Sequence, residues 1–215
     1  MLKISKDITA AMNNDPAARN RFEVFLTYQG VHALHNHRVA GFFYKIHLKL
    51  LARMIAGWGR FTTGIEIHPA AKIAPGVFID HGAGVVIGET AVVEEGVVIY
   101  QGVTLGGKGD HAAKGQTRHP TIKKSAVIYA GAKVLGDITV GEYSVIGAGS
   151  VVLKDVPPCA TVVGVPGRII KIRTCDGCAN KGKEACCLSG KSLSASSEKT
   201  DDIADSSSVA ENQNE

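Results

Sequence analysis

An aliphatic residue recurs at every sixth position through the middle of this chain. A first run comprises Ile67, Ile73, Ile79, Val85, Ala91, Val97 and Val103, and a second run comprises Ile122, Ile128, Val134, Val140, Ile146 and Val152. Neither the two-residue period of an ordinary strand nor the 3.6-residue period of a helix produces this spacing. The pattern predicts a parallel β-helix of short strands and turns, in which each aliphatic side chain points into a central column and each coil stacks on the previous one.

The six-residue repeat is typical of the left-handed, triangular form of this fold, with three hexads per coil. The handedness follows from the class of repeat and not from the spacing alone. We therefore expect a mainly β protein, with a left-handed parallel β-helix over residues 61–172 preceded by a short α-helical N-terminal segment over residues 1–60. Within the helical segment, Asp15-Pro16 is a helix-start signal, and Gly30 and the Ala40-Gly41 pair are expected breaks.

Residues 106–120 interrupt the repeat with the sequence GGKGDHAAKGQTRHP. This segment is rich in Gly and Lys and contains no large apolar side chain. A long loop ejected from an otherwise regular solenoid is usually functional, so we expect this loop to border the site.

The chain leaves the repeat after Pro157-Pro158, and the following GVPGRIIKIR is expected to form a closing strand. A Cys-rich segment over residues 173–188 contains Cys175, Cys178, Cys186 and Cys187. These thiols either bind zinc or an iron–sulfur cluster or stay reduced and unliganded, and the sequence leaves both readings open. Residues 189–215 are rich in Ser, Asp and Glu, and we expect them to be disordered.

The composition argues against several classes of protein. Hydrophobic residues make up 45% and charged residues 20%, as in ordinary globular proteins. The N-terminus lacks the apolar run of a signal peptide, and no stretch reaches ~18 uninterrupted apolar residues, so we expect a cytoplasmic protein without a membrane segment. The net charge of +4 comes without a basic run and gives no argument for nucleic acid.

Eight segments, in their order and spacing, resemble those of serine O-acetyltransferases. They are DPAA (15–18), GIEIHPAAKI (64–73), FIDHGAGVVIGET (78–90), QGVTLGGKG (101–109), RHPTI (118–122), AGAKVLG (130–136), VIGAGSVVLKDVPP (145–158) and GVPGRI (164–169). The resemblance implies transfer of an acetyl group from acetyl-CoA, as co-substrate, to the hydroxyl of L-serine. The products would be O-acetyl-L-serine and CoA, in the first step of cysteine biosynthesis, and no metal is required for this catalysis.

The resemblance implies that His81 is the general base, since the alcohol proton must be removed as the oxygen attacks the thioester carbonyl. Glu66 occupies the position where many family members place the Asp of an Asp–His pair. It lies 15 residues before His81, close to one coil of the helix, so stacking is expected to bring the two residues near each other. A carboxylate there would hold the imidazole ring and stabilise its protonated form.

The remaining site residues also follow from the resemblance. Asp15 and Asp80 match the serine-binding carboxylates, Arg118 suits the substrate carboxylate because a guanidinium grips it through two hydrogen bonds, and His119 would add a donor. For acetyl-CoA the expected surface is the flat side of the β-helix near the ejected loop. Its residues would be Gly106, Gly107, Ala130 and Ala148, which are small enough for a pantetheine arm to lie beside them.

Two departures from the family pattern bear on assembly and partners. The chain begins close to the DPAA segment and so lacks most of the helical domain through which longer relatives pair trimers, and we expect a homotrimer in which Asp80-His81 faces Arg118-His119 of a neighbour. Many family members end in a peptide with a terminal Ile that binds O-acetylserine sulfhydrylase. This chain ends Glu-Asn-Gln-Asn-Glu, so we expect no sulfhydrylase complex through this C-terminus.

Two other functions compete with this reading. The first is a hexapeptide acetyltransferase acting on a sugar hydroxyl, although Asp15, Asp80 and Arg118 suit an amino acid better. The second is a metal-dependent hydratase of the γ-carbonic-anhydrase type, whose three His ligands would have to be His81, His111 and His119. A further run of His32, His35 and His37 is expected to be surface or packing histidines rather than a metal site.

Overall fold

The computed structural model describes residues 2–109 and 115–173. Four helices come first in these residues: α1 (Leu2–Asn14), α2 (Arg21–Thr27), α3 (Gln29–Lys45) and α4 (Lys49–Thr63). Fifteen short strands follow: β1 (Glu66–Ile67), β2 (Lys72–Ile73), β3 (Phe78–Ile79), β4 (Val86–Ile87), β5 (Val92–Val93), β6 (Val98–Ile99), β7 (Thr104–Gly106), β8 (Thr121–Ile122), β9 (Val127–Ile128), β10 (Lys133–Leu135), β11 (Thr139–Val140), β12 (Val145–Ile146), β13 (Val151–Val152), β14 (Ala160–Val163) and β15 (Arg168–Ile172).

The strands form three sheets, which are the three sides of a triangular prism. Sheet A has the order β1-β4-β7-β10-β13, sheet B has the order β11-β8-β5-β2, and sheet C has the order β15-β14-β12-β9-β6-β3. All pairings are parallel except that of β14 with β15. The left-handed parallel β-helix predicted from the repeat is therefore confirmed.

Each side of the prism places two residues, two positions apart, in the central column. Val85 with Ile87 and Val97 with Ile99 are examples, and all four side chains are buried. The observed register corrects the single six-residue series, because Glu66 pairs with Val86, 20 positions later, whereas Val86 pairs with Thr104, 18 positions later. Two extra residues lie in the turn over residues 80–84. The six-residue series nevertheless stays aliphatic, because at this turn it changes from one of the two inward-facing positions of a hexad to the other.

The helical segment differs from its prediction at Asp15-Pro16, which does not start a helix. Asp15 follows the end of α1, and its Oδ1 accepts a hydrogen bond of 2.8 Å from the N–H of Ala17 in the turn beyond. Helix α2 instead begins after Asn20, whose side chain accepts from the N–H of Glu23. The prediction failed because Asp favours an exposed turn as readily as a helix cap.

The break predicted at Gly30 lies two residues earlier, at Tyr28 between α2 and α3, and the break predicted at Ala40-Gly41 is wrong, since α3 runs through it. A Cβ on Gly30 would lie 2.2 Å from the carbonyl oxygen of Ile79, and one on Gly41 would lie 3.3 Å from that of Pro69. Both glycines therefore permit α3 to lie directly against the first coil. Asp7 of α1 is buried, pairs with Arg38 of α3 and accepts the N–H of Gly76, which ties the helices to the prism.

The antiparallel pair of β14 and β15 closes the last coil of the β-helix, so the predicted closing strand is present. The helices extend to Thr63, slightly past the predicted boundary at residue 60. Cys175, Cys178, Cys186, Cys187 and the tail over 189–215 lie outside the described residues, as does His111. Within the described ranges, no helix is long and apolar enough to cross a membrane.

Candidate active site

The enlarged turn between β3 and β4 presents His81. The residue has a φ of 55°, and the N–H of Gly82 donates to the carbonyl of Asp80 across it at 2.5 Å. A non-glycine residue in the left-handed region is uncommon, and such strain often marks functional positions. The His81 side chain is 72% exposed, and its Nε2 lies 4.0 Å from Oδ1 of Asp80, which is mostly buried.

A cavity of about 330 Å³ lies at this turn, between the helices and the prism. It brings together three of the residues predicted from the sequence: Asp15, Asp80 and His81. The rest of its wall comes from Thr27, Tyr28, Gln29, Gly30 and Ile79. Two carboxylates and an imidazole thus line one small space.

The carboxylate of Asp15 is fixed at both oxygens. The hydroxyl of Tyr28 donates to Oδ2 at 2.5 Å, and the N–H of Ala17 donates to Oδ1 at 2.8 Å. These two hydrogen bonds, the Tyr28 bond above all, lower the pKa of Asp15 below its usual value, while partial burial opposes them. Asp15 is therefore a carboxylate at neutral pH and can bind a cation.

Glu66 lies at the same corner of the prism as His81 but outside this cavity. The N–H of Gly84 donates to the carbonyl of Gly64, so the two turns stack on adjacent coils, as the sequence predicts. The Glu66 carboxylate, however, pairs with Arg60 of α4 at 2.9 Å. The pairing of Glu66 with His81 therefore stays a prediction.

Arg118 and His119 lie at a different corner, where the segment Gly88-Glu89-Thr90 organises them. Arg118 Nη2 lies 3.1 Å from the Glu89 carboxylate. The Thr90 hydroxyl accepts the N–H groups of Arg118 and His119, at 3.0 and 3.1 Å, and lies 2.8 Å from Nδ1 of His119. A Cβ on Gly88 would lie 2.0 Å from the His119 ring, so glycine is required there.

The hydrogen bonds also define the protonation of His119. The N–H of Thr90 donates to its Nδ1, so the proton of the neutral ring lies on Nε2. Burial, followed by the charge of Arg118, lowers the pKa of His119, with Glu89 opposing the shift. His119 is therefore a neutral imidazole at pH 7 with Nε2–H as a donor.

The two groups of residues lie at opposite edges of sheet A. His81 precedes β4, whereas Glu89 and Thr90, which hold Arg118, follow it. Extended chain from Gly84 to Glu89 spans about 15–20 Å. That length exceeds an amino acid, so the two groups of residues are well separated along the backbone of one chain.

The residues predicted to bind acetyl-CoA flank sheet A in two pairs. Gly106 and Gly107 lie at the loop edge, where a Cβ on Gly107 would be 3.4 Å from the Arg118 carbonyl. Ala130 and Ala148 lie on the His81 edge, on successive coils, since the N–H of Gly149 donates to the carbonyl of Ala130.

A glycine ladder runs down the His81 edge of sheet A. Gly84, Gly102, Gly131 and Gly149 stack on successive coils, all at positive φ, and a Cβ on Gly102 would lie 3.4 Å from the Cα of Gly131. The edge therefore has no side chains at these positions. It forms a smooth wall from the His81 turn toward the last coil.

The sequence did not indicate the role of two residues of the site. Tyr28 lies 13 residues after Asp15 in a segment that matches no motif, and only the fold places its hydroxyl on Asp15. Thr90 belongs to the GET triplet, but its role in holding Arg118 and His119 depends on the stacking of the ejected loop. In the described part of the chain, no group of three His, Cys, Asp or Glu side chains is arranged to hold a metal ion.

Comparison with known proteins identifies the family of this chain. Residues 119–154 match the model of the bacterial transferase hexapeptide family. The chain is 58% identical over 167 residues to the serine acetyltransferase of Bacillus subtilis, covering 78% of this chain and 76% of that protein. Among solved structures, a serine acetyltransferase in complex with CoA is 42% identical with a TM-score of 0.73, covering 78% of this chain and 68% of that one. The serine acetyltransferase of Neisseria gonorrhoeae in complex with serine is 39% identical with a TM-score of 0.74, covering 79% and 68%. This chain belongs to the serine acetyltransferase family.

Proposed function

We propose that this enzyme transfers the acetyl group of acetyl-CoA to the hydroxyl of L-serine. The observation that carries the proposal is the cavity in which the Asp15 and Asp80 carboxylates lie beside His81. Two carboxylates suit the ammonium group of an amino acid, and an imidazole suits removal of an alcohol proton. The serine and CoA complexes of related enzymes support the same pair of substrates.

In the proposed reaction, His81 takes the proton of the serine hydroxyl as its oxygen attacks the thioester carbonyl. The tetrahedral intermediate then collapses, the C–S bond breaks, and the protonated imidazole returns the proton to the CoA sulfur. A nearby carboxylate stabilises the imidazolium between these steps. Glu66 is proposed for this role on the family pattern, and Asp80 already lies 4.0 Å from Nε2.

Recognition of the serine carboxylate is assigned to Arg118 and His119 of a neighbouring copy. Within one chain these residues lie across sheet A from His81, so a complete site needs a second copy to bring its loop edge to the His81 edge. The side chain of His81 is 72% exposed in a single chain, which supports a neighbouring copy that covers it in the assembled enzyme. Exposed Leu50, Met54, Trp58 and Phe61 on α4 further argue against a monomer. We propose a homotrimer.

Acetyl-CoA is proposed to lie along the glycine ladder, with its thioester at the His81 turn and its pantetheine arm beside Ala130 and Ala148. The ladder leaves room for an extended chain, and Gly106 and Gly107 of the facing copy would form the other wall. No step of this chemistry needs a metal.

The direct test measures CoA release from acetyl-CoA with a thiol reagent, with serine as acceptor and with a panel of sugars as the control. We expect release that depends on serine. Release with a sugar and not with serine would favour the sugar acetyltransferase. No CoA release with either acceptor, together with metal-dependent hydration of CO2 in a separate assay, would favour the hydratase.

The shared site is tested by complementation. Co-expression of His81→Asn and Arg118→Ala chains produces mixed trimers in which some sites join an intact His81 to an intact Arg118. Random mixing gives about one quarter of all sites this composition, so about a quarter of parent activity should return although each variant alone is inactive. Recovery of none, with trimers confirmed at three times 22.6 kDa by light scattering, would show that each site lies within one chain.

A further inference from the structure

We infer that Tyr28 is a positioning residue that sets specificity for an amino acid substrate. Its hydroxyl holds the Asp15 carboxylate in the cavity beside His81, ready to bind the substrate ammonium group. This inference rests on the proposed function and extends it to a residue outside the motifs of the sequence.

The geometry leaves Asp15 one orientation. Tyr28 Oη donates to Oδ2 at 2.5 Å, while the N–H of Ala17 donates to Oδ1 at 2.8 Å. Each carboxylate oxygen keeps further lone pairs after accepting these bonds. An ammonium group in the cavity can therefore donate to Asp15 while Tyr28 holds the carboxylate in place.

Rigid elements place Tyr28 at this point. It is the single residue between α2 and α3, with an extended backbone (φ −84°, ψ 109°) and its N–H bonded to the carbonyl of Val24. Two residues later, Gly30 lies against Ile79, the residue just before Asp80. The ring packs in the apolar cluster that contains Phe78 and Val98. The close helix contact thus fixes the phenol relative to the His81 turn.

The electrostatics of the cavity agree with this role. The bond to Asp15, followed by burial and the charges of Asp15, Glu23 and Asp80, raises the pKa of Tyr28 to about 12, so the phenol remains a donor throughout the working range. The bond in turn is the main cause of the lowered pKa of Asp15, to which the charge of His81 adds a smaller part. Asp15 therefore stays ionised although Asp80 lines the same cavity.

The test is Tyr28→Phe, which removes one hydroxyl and leaves the packing ring. Loss of a hydrogen bond to a charged group should raise the KM for serine about ten-fold, with kcat and the KM for acetyl-CoA close to parent values. Tyr143→Phe is the control, since Tyr143 is a buried tyrosine of a later coil and does not line the cavity. It should leave all three parameters unchanged.

A double mutant separates positioning from a general structural effect. If Tyr28 acts through Asp15, adding Tyr28→Phe to Asp15→Asn should change the KM for serine by less than about two-fold. An unchanged KM in Tyr28→Phe, or a full ten-fold effect added to that of Asp15→Asn, would overturn the inference. A parent enzyme that releases no CoA with serine would instead overturn the proposed function, and this inference with it.

Discussion

Replacing His81 by asparagine should separate catalysis from folding at this turn. The residue has a φ of 55°, and asparagine tolerates the left-handed region better than other residues with a β-carbon. The side chain is largely exposed and lies at an edge of the prism, so we expect the free energy of unfolding to change by less than about 0.5 kcal/mol. Loss of the general base should lower kcat by roughly 10²–10⁴, equivalent to about 3–5 kcal/mol of transition-state stabilisation.

The assay follows CoA release at saturating serine and acetyl-CoA, with thermal unfolding measured on the same samples. His81→Ala is the companion variant, because alanine should lose the same activity and also about 1 kcal/mol of stability from its positive φ. A kcat near the parent value in His81→Asn would show that His81 is not the base. Equal stability of the Asn and Ala variants would show that the backbone conformation carries no strain.

Three further predictions address the residues around the site. Glu66→Gln should lower kcat, though less than His81→Asn does. Arg60→Gln breaks the ion pair between Arg60 and Glu66 and should leave kcat unchanged. Equal kcat values in both variants would show that Glu66 only shapes the turn and has no part in catalysis. Gly88→Ala should displace the His119 ring, because the added Cβ would lie 2.0 Å from that ring, and should raise the KM for serine by about ten-fold or more. Gly57→Ala is the control, since its added Cβ meets nothing within 4 Å, and it should leave this KM unchanged. An unchanged KM in both variants would show that His119 does not bind the substrate. Burial, with a smaller contribution from Arg38, lowers the pKa of His37 to about 4, so the unfolded chain binds the proton more readily than the folded chain. The free energy of unfolding should therefore fall as the pH drops from about 6.5 to 4, by up to about 3 kcal/mol. Urea unfolding of His37→Gln should show a flatter pH profile over that window, and a profile identical to that of the parent would contradict the assignment.

Much of the fold follows from sequence because the contacts of a solenoid are local. Each hexad needs only two inward-facing small or aliphatic residues and a turn, and each coil packs against its neighbours, so the sequence itself shows a period of six. The ejected loop was visible for the same reason, since it breaks that period. Motifs such as DHG and RHP identified Asp80, His81, Arg118 and His119 as candidate site residues from the sequence. The roles of these residues remain proposals.

Other features were decided only by tertiary structure. The two-residue insertion at the His81 turn left no trace in the periodicity, because both inward positions of a hexad are apolar and one run passes into the other. The sequence predicts Asp15 as a helix cap, and only the fold shows that its carboxylate accepts a hydrogen bond from Tyr28, 13 residues later. A hydrogen bond between two segments that connect helices depends on where the helices lie on the prism, and the contact of Gly30 with Ile79 helps to set that placement. The separation of His81 from Arg118 across sheet A is likewise a property of the coil, since His81 and Glu89, the partner of Arg118, lie on opposite sides of β4. The sequence by itself determined the repeat and the chemistry of the side chains; the tertiary structure decided which of them share a cavity, because that depends on how coils, loop and helices stack.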